Sequence, residues 1–276
     1  MTPGMTVAPG LWTLAGSGVA SVAAVLLPSR RAVLGIVAAT TTAVAATLVL
    51  ACLVGQWREG GVLPHPTWFE ARLLTLAGLS LATTLFTVRG ALRVGTWSEA
   101  APWFRAAAAA AILGTGLAGC ALGNDTEPAL TAPAVQTAAA GLHYALLYAS
   151  IGLLLGACAA ACAFLLGGRE DSSAERTWDG VLHSAVSLGL PLLLVSIVVG
   201  AVWHGRAWAD PWGWDVGETW SLATILLFVV WLHLRQADPA ALRPHALLLA
   251  AGGGVLAGWL TFVWYLPAGV DSMEYY

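Results

Sequence analysis

Five tryptophans stand close together in one short stretch of this chain. They occur in the segment WHGRAWADPWGWDVGETWSL, as Trp203, Trp208, Trp212, Trp214 and Trp220. Tryptophan is common at membrane surfaces, but there it is distributed over several helix ends. An indole ring has a large flat apolar face and an N–H group that donates a hydrogen bond. This Trp-rich segment (203–222) therefore predicts a surface that binds a flat apolar ligand with a polar rim, and haem b fits that description.

Two carboxylates, Asp215 and Glu218, follow most of these tryptophans just before an apolar run. Acidic side chains stabilise the positive end of a helix, so both residues could belong to the start of a helix. Thr219 could help to cap the same helix. The pattern leaves open whether the carboxylates only stabilise the helix or also contact the ligand.

Histidine is a common ligand of haem iron, so each histidine is a candidate. Two lie within or beside predicted apolar runs: His143, at the start of one run, and His233, near the end of another. An ionisable side chain in a membrane-spanning segment is costly, which favours a functional role. Either residue could instead lie at the membrane surface and face the lipid headgroups.

The remaining histidines are weaker candidates. His204 directly follows Trp203, so it could supply a second iron ligand or be a hydrated loop residue. His183 and His245 could pair with His233, or that partner could come from another subunit. His65 lies between two prolines, which predicts a rigid surface turn.

The composition indicates where these residues lie. Of 276 residues, 58% are hydrophobic and only 10% are charged, against about 25% charged residues in soluble domains. The mean hydropathy is +0.77. There are too few charged residues to cover a water-facing surface. We therefore expect an all-α, polytopic membrane protein with one integral domain over 1–276. The net charge of −3 offers no basic patch for nucleic acid.

Eight segments are long and apolar enough to span a membrane, which takes about 20 residues. They cover 11–28, 32–54, 68–88, 104–122, 141–166, 181–203, 218–234 and 244–266. Successive connectors lie on alternate sides of the membrane. The connectors on one side hold nine arginines, and those on the other side hold three, counting Arg72 at the edge of a span. Arginine-rich connectors face the cytoplasm, so both termini, the Trp-rich segment and His143 are predicted outside. His183, His233 and His245 are predicted near the inner face.

The cysteines do not form a reactive motif. Cys52, Cys120, Cys158 and Cys162 occur in neither CxxC nor CxxCH spacing, which excludes a thioredoxin-like motif and a haem attachment site within the chain. There is also no P-loop, zinc motif or Ser/His/Asp set.

The Trp-rich segment resembles the WWD signature of the cytochrome c assembly family, and its ending resembles the CcsA (ResC) branch. Four stretches carry the resemblance: Trp208 to Leu222, Leu188 to Trp203, Trp231 to Arg235 and Gln136 to Leu155. Residues 1–135 are less typical of the family. The resemblance implies that residues 136–276 form a haem-handling core.

The resemblance also implies roles for single residues. His143 would be an axial ligand of a haem at the outer face, and His233 would ligate a haem within the membrane. The family has a further external histidine in its tail, where this chain has Asp271. The second outer ligand is then Asp271, His204, water or a partner residue, and the departure predicts that His143 is the only strong protein ligand there.

The implied function is to bring haem to the outer face of a bacterial plasma membrane. There the haem is joined to the CxxCH cysteines of apocytochrome c, which would make this multi-pass protein a component of a cytochrome c haem lyase. Its implied partners are haem, apocytochrome c and a membrane subunit of the CcsB (ResB) type. The alternatives are a CcmC-like haem chaperone or exporter subunit without ligation activity, and a haem b electron carrier.

Overall fold

The computed structural model describes residues 68–92, 97–122, 137–167 and 172–265, and a few single positions before them. Side chains are described throughout these ranges except at 68–70, 97–98, 118–122 and 261–265. Every regular element in these ranges is an α-helix, which confirms the all-α prediction for this part of the chain. The helices are α1 (Trp68–Ala91), α2 (Trp97–Leu122), α3 (Ala138–Leu166), α4 (Ser172–Trp208), α5 (Val216–Ala237) and α6 (Leu242–Tyr265).

Each of the six later predicted spans corresponds to one of these helices. The spans 11–28 and 32–54 lie outside the continuously described ranges, so the count of eight and the placement of both termini stay predictions. Among the described residues, four helical segments have the length and apolar composition needed to cross a membrane: Ala71–Ala91, Ala138–Leu166, Ser172–Trp208 and Val216–Ala237. The chain is therefore a membrane protein built from apolar helices.

Helix α4 is longer than its predicted span of 181–203. Its 37 residues correspond to about 55 Å at about 1.5 Å per residue, whereas the hydrocarbon layer is about 30 Å thick. The prediction of a connector over 204–217 was therefore wrong in extent, because only residues 209–215 between α4 and α5 are irregular. Apolar composition reports only the part of a helix in lipid, and no proline interrupts the chain between Trp203 and Trp208.

The central helix of the described bundle is α3, which packs against α1, α2, α4 and α6. It crosses α1 at a pair of glycines, Gly78 and Gly152. A Cβ at Gly152 would overlap the carbonyl oxygen of Thr75, and one at Gly78 would overlap the carbonyl oxygen of Ala149. Small residues allow this close approach between membrane helices. We call this contact the α1–α3 seam.

Arginines gather at one end of the bundle, where they contact aromatic rings and a carboxylate. The pairs are Arg89 with Trp103, Arg105 with Trp178, Arg243 with Phe164, and Arg235 with Asp179. These arginines belong to connectors that the sequence predicts to face the cytoplasm. The contacts therefore place the predicted inner ends of all six helices together, with His143 and the Trp-rich segment towards the opposite end.

Candidate functional site

His143 lies in the second turn of α3, and Ser196 of α4 holds its ring. The ring nitrogen Nδ1 lies 2.8 Å from the backbone carbonyl oxygen of Ser196. The Ser196 hydroxyl lies 3.2 Å from the same nitrogen and donates a hydrogen bond of 2.9 Å to the His143 carbonyl oxygen. Ser196 is fully buried, so water does not compete for these bonds. The imidazole orientation is therefore determined by the packing of α3 on α4.

This hydrogen bonding determines which imidazole nitrogen can bind a metal. A carbonyl oxygen only accepts, so the His143 Nδ1 carries the proton and Nε2 keeps its lone pair. Within the described part of the chain, Nε2 has no hydrogen-bond partner. Metal-binding histidines commonly donate their other N–H to a backbone carbonyl, as His143 does. The hydrogen bonding of His143 therefore leaves Nε2 as the nitrogen that could bind a metal.

A glycine makes room for the His143 ring. A Cβ at Gly200 would lie 2.6 Å from both Cε1 and Nδ1 of that ring, much closer than carbon atoms pack at about 3.5–4.0 Å. Gly200 follows Ser196 by one helical turn, so both line the same face of α4. We call these two residues the α4 seat of His143.

Trp203 connects His143 to the Trp-rich segment. It is buried, and its ring stacks on the His143 ring with centroids 6.1 Å apart and planes inclined by 24°. Its edge also packs against Tyr144, with centroids 5.9 Å apart. The predicted ligand and the predicted aromatic surface, which are distant in the sequence, therefore form one site.

The irregular residues 209–215 fold back over the end of α4. His204 donates a hydrogen bond from Nδ1 to the backbone carbonyl oxygen of Asp210. The Asp210 carboxylate accepts a bond of 3.0 Å from the backbone N–H of Trp212. Ala209 and Trp214 have φ values of 59° and 57°, in the left-handed region that non-glycine residues seldom adopt. These residues turn the chain so that the loop lies close to His204.

The carboxylates at the start of α5 have distinct positions. Asp215 is the N-cap of α5, and its Oδ1 accepts a hydrogen bond of 2.7 Å from the backbone N–H of Glu218. Thr219 lies within the first turn instead of capping the helix, since its backbone N–H already bonds to the Asp215 carbonyl oxygen. The capping role is thus clear for Asp215, and Glu218 remains available for another contact.

Three polar atoms of the Trp-rich segment are buried without a hydrogen-bond partner. They are Nε1 of Trp208, Nε1 of Trp212 and Oε2 of Glu218. Leaving such a group unbonded costs about 1–3 kcal/mol, so a native structure seldom keeps several together. The Trp212 ring also packs edge-on to Trp214 at 5.8 Å, and Trp214 is 68% exposed. Apolar ring faces with two free N–H donors suit a flat ligand that carries carboxylates, as haem does.

Two of the predicted site residues lie elsewhere, and a third is not described. Trp220 packs towards α6, where a Cβ at Gly258 would lie 3.8 Å from its ring. His233 follows the start of α5 by 17 residues, which is about 26 Å along the helix. Asp271 lies outside the described residues, as does His65.

The face of α5 that carries His233 points away from the bundle. His233 is exposed, and its Nδ1 lies 2.9 Å from the carbonyl oxygen of Val229 in the same helix. Trp231, by contrast, is buried and donates a hydrogen bond of 3.1 Å to the carbonyl oxygen of His245. A helix turns by about 200° over two residues, which places His233 opposite Trp231. His245 therefore packs on the other side of α5 from His233.

Sequence reasoning missed the α4 seat and the Asp210 carbonyl group. Serine and glycine are ordinary residues in membrane helices, so neither Ser196 nor Gly200 was conspicuous. Their spacing carried a signal, because Ser196, Gly200 and His204 recur every four residues and share one face of α4. The Asp210 contact depends on loop geometry and had no signal in the spacing.

Comparisons with known proteins identify a family and several similar proteins. Residues 12–264 match the sequence profile of the family described as cytochrome C assembly protein. Three similar proteins are each named cytochrome c biogenesis protein CcsA. The one from Synechococcus elongatus is 39% identical over 94 residues, which cover 34% of this chain and 28% of that protein. The one from Synechocystis sp. is 39% identical over 97 residues, covering 35% and 27%.

The third relative, from Gloeobacter violaceus, is 38% identical over 103 residues, which cover 37% of this chain and 30% of that protein. The matched stretch thus covers less than a third of the length of each of these relatives.

Proposed function

The chain belongs to the cytochrome c assembly protein family, and on that basis we propose that it binds haem b at its outer face and presents it to apocytochrome c. The observation that carries this proposal is the position of His143. Its Nε2 is free, its Nδ1 is bonded to the α4 seat, and its ring packs on the first tryptophan of the Trp-rich segment. Iron ligand and aromatic surface thus meet at one end of the bundle.

The parts of the site match the parts of a haem molecule, which is a substrate of the protein and not a resident cofactor. The His143 Nε2 binds the iron and determines the orientation of the macrocycle. The tryptophan faces pack on the macrocycle, and the free N–H groups of Trp208 and Trp212 donate to its propionate carboxylates. This division of roles accounts for two of the unpartnered buried atoms in the segment.

The chain's own part in the chemistry is to bind, orient and expose the haem. Thioether formation adds the S–H of each CxxCH cysteine across a haem vinyl group, so a C–S bond forms and the hydrogen goes to the neighbouring carbon. The two thiols come from the apocytochrome, and the chain needs no nucleophile of its own. This fits a component of a haem lyase in a bacterial plasma membrane.

His233 belongs to a different part of the proposed pathway. It lies on an exposed apolar face of α5 that also presents Leu226, Val230 and Leu234. A histidine on such a face is costly unless it has a partner. We assign it to a haem within the membrane, shared with a second membrane subunit of the CcsB type that supplies the opposite ligand.

The proposal is tested by replacing Trp212 and Trp214 together with alanine. Each ring can cover roughly 150–250 Å² of a ligand, and even 100 Å² of lost contact corresponds to about 2.5 kcal/mol, more than tenfold in affinity. We expect the double variant to accumulate normally, to contain little outer haem by pyridine haemochrome assay, and to fail in cytochrome c maturation. Phenylalanine at Trp208 and Trp212 is the matched variant, which keeps ring faces but removes both N–H donors.

The two readouts distinguish the functions. Unchanged haem content and maturation in the double alanine variant would reduce the Trp-rich segment to a membrane-surface belt. A wild-type protein that binds outer haem, but never yields thioether product with a CxxCH substrate and its partner subunit, would be a haem carrier without ligation activity.

A further inference from the structure

A second histidine in the outer site is oriented in the same way as His143. The His204 Nδ1 donates to the backbone carbonyl oxygen of Asp210, so its Nε2 keeps the lone pair. Within the residues that the structure describes, this Nε2 makes no hydrogen bond. Two histidines at one site thus each have Nδ1 bonded to a carbonyl group and Nε2 free for a metal.

Both imidazoles contact the ring of Trp203. Each ring centroid is 6.1 Å from that of Trp203, so their separation cannot exceed 12.2 Å, twice this distance. His204 follows Gly200 by one turn, and helical side chains lean towards the N-terminus of their helix. The His204 ring therefore leans towards Gly200, over which the His143 ring lies.

The surroundings of His204 suit an apolar macrocycle. Its ring packs against Trp203 and against Trp208, the latter at a centroid distance of 6.5 Å. The N–H group of Trp208 is one of the buried donors without a partner. His204 is half-buried at the start of the Trp-rich segment and packs against two of its tryptophans, which argues against a freely hydrated loop position.

We infer that His204 is the second axial ligand of the outer haem, on the opposite face of the macrocycle from His143. The inference rests on the proposed function, because it requires a haem at this site. It replaces the sequence-based hypothesis that His143 is the only strong protein ligand there. Two neutral imidazoles give six-coordinate, low-spin iron, whereas loss of one leaves the iron high-spin or bound to water.

The competing role for His204 is to hold the loop through its bond to Asp210. His204→Asn separates the two roles, because the asparagine amide can donate from about the position of Nδ1 but has no counterpart of Nε2. The protein is purified in a His233→Ala background and loaded with haemin, so that only the outer haem contributes to the spectrum. Asp271→Asn is the matched variant for the other candidate ligand.

Absorption and electron paramagnetic resonance spectra of the loaded proteins report the spin state of the iron, and so distinguish an axial ligand from a residue that only holds the loop. We expect a low-spin haem in the parent protein and in Asp271→Asn. We expect a high-spin haem in His204→Asn, with a haem affinity about 10–100-fold below that of the parent and a low-spin signal restored by imidazole. A low-spin spectrum in His204→Asn, or a high-spin one in Asp271→Asn, would overturn the inference and leave the proposed function intact. A parent protein that binds no outer haem would overturn the proposed function itself.

Discussion

Gly152 of α3 and Gly200 of α4 both lie where a Cβ would overlap a neighbour, but the neighbours differ. At Gly152 the neighbour is the backbone of α1, so the glycine allows two helices to approach closely. At Gly200 the neighbour is the ring of His143, so the glycine leaves room for a side chain that can bind iron. The comparison shows that small residues both pack this bundle and shape its site, and the same substitution should separate the two uses.

The largest effect is expected at the α1–α3 seam. Gly152→Ala places a Cβ against the Thr75 carbonyl oxygen, and backbone atoms cannot move aside as a side chain can. Overpacking of this kind costs about 1–3 kcal/mol, which lowers Tm by roughly 2–12 °C. We expect less protein in the membrane and a lower Tm in detergent, with haem lost only in proportion to the protein.

Gly254→Ala in α6 is the matched control for the seam. A Cβ there meets nothing within 4 Å, so this variant should accumulate and melt as the parent does. If the Gly152→Ala protein accumulates in the membrane and melts as the parent does, the α1–α3 seam tolerates a side chain. Gly152 would then not be required for the close approach of the two helices.

A smaller and more selective effect is expected at the α4 seat. Gly200→Ala displaces the His143 ring from Ser196, and changes next to a metal ligand typically weaken binding by about 10–100-fold. We expect outer haem to fall by that factor, measured by titration with haemin, while Tm changes by no more than about 4 °C.

Gly189→Ala tests whether the Gly200 effect is specific. Gly189 also faces α3, but its Cβ would meet the side chain of Leu154, 2.9 Å away, and the Cβ of Leu153, 3.2 Å away, and not His143. It should therefore disturb α3–α4 packing and leave the outer haem in place. Equal losses of haem in the two variants would mean that His143 is not held by the α4 seat in particular.

The helices could be predicted from the sequence because an apolar run long enough to cross the membrane has few other conformations. In five of the six described helices, each end lies within about two helical turns of the corresponding end of the predicted span. Helix α4 deviated at both ends, at Ser172 and Trp208, since polar residues continue a helix into water where hydropathy carries no information.

The candidate site was predictable only as separate parts. Residue types identified His143 and the tryptophans, because imidazole and indole carry the chemistry in their side chains. Their contact depends on Ser196 and Gly200, whose role appears only when α3 packs on α4. Likewise, the exposure of His233 follows from the packing of Trp231 on the opposite face of α5 and could not be predicted from the position of His233 in the sequence alone.

Haem binding by His143→Ala tests the central claim most directly. In protein loaded with haemin, we expect outer-haem affinity to fall at least about 100-fold, since changes around a ligand already cost about 10–100-fold, and free imidazole to restore part of the binding. His183→Ala, which removes a histidine at the other end of α4, should bind outer haem as the parent does. A His143→Ala protein with the parent's outer-haem affinity and spectrum would contradict the account.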